Sequence, residues 1–106
     1  MRFPEARFEV HIHDTRNMGI VNTLAAIEAG ADGVQATLGG LDGCPFAPGT
    51  SGNTATEDLV LMLNEMGYDC GIDFDKLLAL AKKEYETVIG NYSGYNIHIQ
   101  SKPGCC

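Results

Sequence analysis

Two histidines separated by one residue, His11 and His13, are the first candidates for chemistry in this sequence. The alternation of apolar and polar residues from Arg7 to Ile12 predicts a strand. Side chains two positions apart on a strand project from one face, about 6.5–7 Å apart along it. Two imidazoles placed in this way can bind one metal ion, with Asp14 as an acceptor that fixes a ring tautomer. The alternative is a pair of surface histidines without a ligand.

The glycine- and proline-rich segment 38–53 contains two further candidates. The thiol of Cys44 is expected to be exposed and near backbone N–H groups, which can lower its pKa; the alternative is an ordinary loop cysteine. Asn53 offers an amide oxygen, which suits a hard cation such as Mg²⁺ or Mn²⁺. The alternative for Asn53 and Thr54 is that they only cap a helix.

A strand–helix–strand unit is predicted to position the histidines. After the first strand, a helix over 18–29 is indicated by apolar residues at helical spacing, and Gly30 is typical of a helix end. That apolar face comprises Ile20, Val21, Leu24 and Ile27. Residues 33–38 are a second strand candidate, and the short connections favour a parallel crossover.

Two more helices are predicted beyond the loop. Thr54 and Glu57 have the spacing of a capping box, and Gly67 is typical of the end of that helix. Asp73 predicts the start of a helix over 74–89. The acidic pairs at the two helix starts, Glu57–Asp58 and Asp73–Asp75, are interpreted as structural partners of the helix dipoles.

The remaining residues, 91–106, are predicted to form a tail that follows one domain over 1–90. Within the tail only YNIHIQ alternates as a weak strand would, and His98 in that run is expected to face solvent. Cys105 and Cys106 end the sequence, where order is rare.

Composition excludes several classes of function. Seven basic residues against fourteen acidic ones give a formal charge of −7, which argues against nucleic-acid and anionic-membrane partners. No apolar run approaches the roughly 18 residues of a membrane span. The four cysteines contain no CxxC spacing, so a structural zinc site is not expected. Their pattern favours free thiols in a reducing, cytoplasmic compartment.

Two long segments together resemble the hydroxymethylglutaryl-CoA lyases. VHIHDTRNMGIVNTLAAIEAG is similar to the sixth strand and following helix of that family, and GCPFAPGTSGNTATEDLVLML is similar to its signature loop and next helix. The resemblance runs from about Val10 to about Leu78. It implies an α/β fold, the C-terminal part of a TIM (β/α)₈ barrel, which is incomplete because a whole barrel needs about 250 residues.

The resemblance also implies roles for individual residues. His11, His13 and Asn53 would bind a divalent metal, Mg²⁺ or Mn²⁺, and His11 would also transfer protons. Cys44 would act as the catalytic cysteine of a loop that closes over the substrate. The implied reaction cleaves 3-hydroxy-3-methylglutaryl-CoA to acetoacetate and acetyl-CoA, so an acyl-CoA is the expected substrate.

Two departures from the family pattern qualify these expectations. Asp42 and Gly43 precede Cys44 where the family has two glycines, and a carboxylate there would tend to raise the thiol pKa. The first-strand Asp and Arg of the family are absent from the sequence. We therefore expect weak metal binding, no lyase turnover by the chain alone, and association with a missing N-terminal barrel part or with itself. The alternatives are a related Claisen-type synthase and a non-catalytic remnant that binds a partner.

Overall fold

The computed structural model describes residues 5–42 and 52–99 and has the predicted α/β class. In chain order the main elements are β1 (Glu9–His11), α1 (Gly19–Glu28), β2 (Gly33–Gln35), β3 (Leu41–Asp42), α2 (Thr56–Glu65), α3 (Phe74–Thr87) and β4 (Asn91–Tyr92). Short 3₁₀ turns occur at Thr15–Asn17, Leu38–Gly40 and Asn96–His98. Among the described residues, no helix combines the length and apolar character that crossing a membrane would require.

The predicted parallel crossover is present: β1 and β2 are parallel neighbours, with Val10 opposite Val34, and α1 connects them. Both strands are shorter than predicted. Past the ends of β1 and β2, two isolated bridges continue the contacts, from His13 to Asn53 and from Thr37 to Ala55. These bridges bring the segment before α2 against the carboxyl ends of both strands.

Helix α1 has the predicted limits within one residue, but its predicted apolar face is partly wrong. Val21 is 61% exposed, whereas Gly19 and Thr23 are the buried residues of the helix. Thr23 can be buried because its hydroxyl donates to the carbonyl of Gly19 at 2.6 Å. Gly30 has φ of +104°, a conformation that glycine adopts without strain, and ends the helix as predicted.

The core lies between α2, α3 and the turn near the C-terminal end. Leu59, Val60 and Leu63 of α2 are buried together with Ala81 of α3 and Ile97. Met66, by contrast, is 49% exposed. Met66 is the residue that caps α2, just before Gly67 turns the chain away with φ of +94°. The core therefore covers only the first turns of that helix.

The predicted capping box at the start of α2 is wrong. The residue that caps the helix is Ala55, which makes no side-chain capping bond. The Thr54 hydroxyl instead donates to the Ile12 carbonyl at 2.7 Å, and the Glu57 carboxylate accepts from the Gly39 amide at 2.9 Å. Both side chains are drawn away from the helix terminus because they satisfy backbone groups of neighbouring segments.

Helix α3 begins as predicted, with Asp73 accepting from the Lys76 amide at 3.2 Å. It ends at Thr87, two residues before the predicted limit. The Tyr92 hydroxyl donates to the Val88 carbonyl at 2.8 Å. This carbonyl just beyond the helix is therefore satisfied by a side chain and not by the backbone of a further helical turn.

The segment after α3 departs from the sequence prediction as far as it is described. Strand β4 pairs with β3 in antiparallel fashion, and the predicted strand YNIHIQ is instead a 3₁₀ turn with Ile97 buried. Asp58 accepts from the backbone amides of Tyr95 and Asn96 at 2.7 and 3.0 Å. These buried carboxylate bonds favour the turn over an extended strand. His98 is exposed, as predicted.

Candidate active site

The candidate site forms where β1 ends and the segment before α2 crosses it. His11 lies at the end of β1, and its Nε2 atom is 3.0 Å from the side-chain oxygen of Asn53, 42 residues later in the chain. The tautomer of the ring decides whether Nε2 donates to this oxygen or presents a lone pair to it. In either state the two side chains meet at one point.

His13 completes the cluster. Its backbone forms an isolated antiparallel bridge with Asn53, and its ring packs edge to face on the ring of His11, with centroids 5.3 Å apart. The two histidine rings and the Asn53 side chain therefore lie close together. Their binding of a metal stays a prediction. A carboxylate that the sequence did not connect with His13 also lies here: Asp42 Oδ2 is 3.9 Å from His13 Nδ1.

Hydrogen bonds hold both the side chain and the main chain of Asn53. Its amide nitrogen donates to the Leu41 carbonyl at 2.9 Å, which fixes the orientation of the amide so that its oxygen faces His11. The main-chain N–H donates to Gly40 at 3.0 Å, and its carbonyl accepts from the Ser93 hydroxyl. A side chain on Gly40 would overlap Ser93 and the Asn53 carbonyl, so close approach requires glycine there.

The side chain of Asp14 contacts the start of α1. Its side chain is buried, and its Oδ1 atom accepts from the Gly19 amide at 3.0 Å, where α1 begins. Burial raises the pKa of Asp14, with a smaller contribution from the charge of Asp58, while the bond from Gly19 acts in the opposite direction. Its described contact anchors α1, and a role beside the histidine rings stays a prediction.

Glu57 is a residue whose contribution the sequence prediction missed. Its side chain is completely buried, and through Gly39 it holds the Leu38–Gly40 turn, whose Gly40 carbonyl accepts from Asn53. Burial raises the pKa of Glu57, and the charges of Asp58 and Glu84 raise it further. The sequence signals were its spacing from Thr54 and its place in the acidic pair Glu57–Asp58, and both indicated a role at the helix start.

The donor set fits a divalent metal in part. Two ligands side by side on an octahedral ion at about 2.1 Å are about 3.0 Å apart, which matches the separation of His11 Nε2 and Asn53 Oδ1. A cation between these atoms would remove the repulsion of two facing lone pairs. Within residues 5–42 and 52–99, however, no three His, Cys, Asp or Glu side chains are arranged to hold a metal. An ion would therefore depend on the Asn53 amide and on further donors.

Three of the cysteines for which the sequence yields predictions lie outside the described residues: Cys44, Cys105 and Cys106. The position of Cys44 relative to the histidines, and the effect of Asp42 on its thiol, stay predictions. Cys70 is the one described cysteine; it is half-buried and free.

Comparison with known proteins identifies relatives of this chain. The family described as HMGL-like matches residues 1–83. Over 81 residues the chain is 44% identical to a hydroxymethylglutaryl-CoA lyase of Bacillus subtilis, and this alignment covers 76% of this chain and 27% of that protein. It is also 46% identical over 78 residues to the (R)-citramalyl-CoA lyase of Chloroflexus aurantiacus, covering 74% of this chain and 25% of that protein.

Solved structures show the same likeness. A crystal structure of the Bacillus subtilis HMG-CoA lyase matches 91% of this chain and 32% of its own, with a TM-score of 0.80 and 40% identity. An HMG-CoA lyase from Acinetobacter baumannii, in complex with coenzyme A and 3-methylmalate, matches 90% of this chain and 33% of its own, with a TM-score of 0.71 and 42% identity. This chain thus spans about a quarter to a third of the length of these relatives.

Proposed function

The chain belongs to the HMGL-like family, and from that premise we propose that it supplies the histidine and asparagine side of a carbon–carbon lyase active site. The substrate that we propose is 3-hydroxy-3-methylglutaryl-CoA, cleaved to acetoacetate and acetyl-CoA. The observation that supports this most directly is the approach of His11 Nε2 to Asn53 Oδ1, beside His13.

His11, His13 and Asn53 would hold a divalent metal, Mg²⁺ or Mn²⁺. When bound, the ion would supply Lewis-acid stabilisation of the charge that develops on the substrate oxygens. The chain contributes two neutral nitrogens and one neutral oxygen, so an anionic ligand would have to come from the rest of the barrel. A binding position that lacks its anionic ligand is expected to be weak.

The chain's own residues would then move protons. His11 would accept the proton of the tertiary hydroxyl group or pass it on to a base. Loss of that proton breaks the adjacent C–C bond, releasing acetoacetate and the enolate of acetyl-CoA. The Cys44 thiol would take part in protonating this enolate. The role of Cys44 rests on the sequence alone.

The fold that this function requires is a (β/α)₈ barrel, of which β1, α1, β2 and α2 would form a C-terminal part. The parallel pair and its crossover helix support that placement, as do the matches to about a third of two lyase structures. Residues of the remaining barrel, in the same polypeptide or in another, would complete the site. We also retain a reducing, cytoplasmic setting as a proposal from the cysteine pattern.

A second substrate is favoured by one specific observation. The (R)-citramalyl-CoA lyase is as similar to this chain as the hydroxymethylglutaryl-CoA lyase is. Both substrates are CoA esters of acids with a tertiary hydroxyl, so the same His and Asn side chains could serve either. Comparing acetoacetate release with pyruvate release from the two esters would distinguish them.

Metal binding tests the proposed ligands directly. We expect the chain to bind Mn²⁺ weakly, measured by loss of the free-ion paramagnetic resonance signal. Replacing His11, His13 or Asn53 by alanine should weaken binding by about tenfold or more, because each removes one ligand. His98→Ala is the matched control, since this exposed histidine lies on the Asn96–His98 turn away from the cluster. Equal binding by wild type and His11→Ala would contradict the proposal.

Turnover tests the reaction. With the remaining barrel part supplied, acetoacetate should form from the hydroxymethylglutaryl ester, and Cys44→Ala should reduce its rate while Cys70→Ala leaves it unchanged. Formation of a condensation product from a 2-oxo acid would favour the Claisen-type alternative. Association with the barrel part but no turnover of either ester would favour a non-catalytic binding module.

A further inference from the structure

Asp42 places a carboxylate beside the candidate site. It is the last residue of β3, and only 9% of its side chain is exposed. Its backbone is held opposite Asn91 by the pairing of β3 with β4. Its Oδ2 atom lies 3.9 Å from Nδ1 of His13. A nearly buried carboxylate is therefore fixed next to one particular ring nitrogen.

The Asp42 carboxylate influences which nitrogen of the His13 ring carries the proton. The two ring nitrogens of a neutral imidazole share one proton, and the hydrogen-bonding or charged group beside one of them decides which carries it. A negative carboxylate favours a proton on the nitrogen that it faces. In His13 this is Nδ1, and a proton there leaves a lone pair on Nε2.

We propose that Asp42 is a positioning residue that keeps the His13 proton on Nδ1, so that Nε2 is available as a metal ligand. This inference rests on the proposed function, because it assigns His13 to the metal. At 3.9 Å the carboxylate acts through its charge rather than through a direct hydrogen bond. Carboxylates hydrogen-bonded to a ligand histidine contribute about tenfold to a hundredfold in metal affinity. Asp42 acts through charge alone on a ring that is 49% exposed, so we expect its contribution to be at most about tenfold.

Asp14 follows His13 directly in the sequence, but it is less suited to this role. Its Oδ1 atom accepts from the Gly19 amide, and the side chain is buried at the start of α1. Asp42 is distant in sequence from His13, yet its carboxylate is the one recorded beside the ring. The role predicted for Asp14 therefore fits Asp42 better.

The first measurement needs no metal. Long-range ¹H–¹⁵N correlation spectra of the full chain report which nitrogen of His13 carries the proton. We expect the Nδ1–H form to dominate in wild type and the Nε2–H form to gain in Asp42→Gly. Asp42→Asn, which keeps the size of the side chain and removes the charge, should shift the tautomer as Asp42→Gly does. Asp75→Asn removes one negative charge from the exposed first turn of α3 and should match wild type.

The second measurement is Mn²⁺ affinity in the same variants. Asp42→Gly should bind Mn²⁺ more weakly than wild type, by up to about tenfold, with Asp75→Asn unchanged. An unchanged His13 tautomer in Asp42→Gly would overturn the inference, whatever the metal affinity. If the tautomer shifts but His13→Ala binds Mn²⁺ as wild type does, the proposed metal function fails while the positioning by Asp42 stands.

Discussion

The carboxyl group of Glu57 sits where α2, α3 and the Leu38–Gly40 turn meet. Its Oε1 atom accepts from Gly39, while Oε2 is buried without a partner among the described residues. Glu84 on α3 also has a buried oxygen without a described partner, and its charge acts on Glu57. An ionised Glu57 is costly here, because its carboxylate is not solvated and lies near the charges of Asp58 and Glu84. A protonated Glu57 relieves this, which agrees with its raised pKa.

This predicts a pH dependence of stability at the residue scale. In the unfolded chain Glu57 would titrate near its ordinary pKa of 4.5, whereas burial raises the folded-state pKa above that value. The stabilising contribution is complete below pH 4.5 and is lost as the pH rises through the folded-state pKa. The free energy of unfolding, measured in urea, should therefore fall with rising pH in wild type more steeply than in Glu57→Gln, which keeps an acceptor for Gly39.

Glu65→Gln is the matched control for that experiment, since Glu65 lies exposed on the same helix. Its pH profile should follow wild type. Asp14, whose pKa burial also raises, contributes in the same direction in every variant and does not affect the comparison. Identical slopes for wild type and Glu57→Gln would show that Glu57 is ionised in both states.

At the scale of elements, Thr54 connects the end of β1 with the start of α2. Its side chain is buried, and the hydroxyl donates to the Ile12 carbonyl at 2.7 Å. The backbone amide of Thr54 also donates to this carbonyl, at 3.2 Å. Because Thr54 follows Asn53 directly, this connection also sets the distance between Asn53 and the histidines.

Replacing Thr54 by valine keeps the shape of the side chain and removes the hydroxyl donor. We expect the free energy of unfolding to fall by about 0.5–1.5 kcal/mol, the usual net contribution of one hydrogen bond, because the Ile12 carbonyl keeps its bond from the Thr54 amide. Mn²⁺ affinity should fall as well if the link positions Asn53. Thr54→Ser keeps the donor and should retain most of both. A valine variant that is as stable as wild type would show that the bond does not hold β1 to α2.

At the scale of the whole molecule, apolar surface is left uncovered. The sheet formed by β1 and β2 has only these two strands within the described residues, and an isolated parallel pair is rarely stable without cover on both faces. A groove of about 780 Å³ runs between α1, β2 and α2; Ile72, which is 45% exposed, is among its lining residues. In a complete barrel, neighbouring elements would be available to cover such surface.

We therefore expect the isolated chain to self-associate as its concentration rises. Sedimentation velocity should show a weight-average mass that increases with concentration. Ile72→Lys places a charge in the groove and should reduce the association, whereas Ile89→Lys is the control, because Ile89 is fully exposed beyond α3. A mass that stays monomeric at all concentrations would contradict this expectation. So would equal effects of the two variants.

The sequence by itself determined what depends on near neighbours. Hydrophobic periodicity and glycines predicted the strand–helix–strand unit and the ends of α1 and α2 at Gly30 and Gly67. Asp73 predicted the start of α3. These features could be predicted because a helix limit depends on backbone conformation within a few residues. The residue types of His11 and Asn53 also marked the candidate site, through the chemistry of their side chains and the family resemblance.

Only the tertiary structure decided the partners of the polar side chains. Thr54 and Glu57 have the spacing of a capping box, yet their bonds go to Ile12 and Gly39. The 3₁₀ turn after β4 and the approach of Asp42 to His13 were likewise missed. The physical reason is that a hydroxyl or carboxylate can satisfy a local or a distant backbone group at similar cost. Which one it binds depends on how the elements pack, and the residues that decide the packing are far apart in the chain.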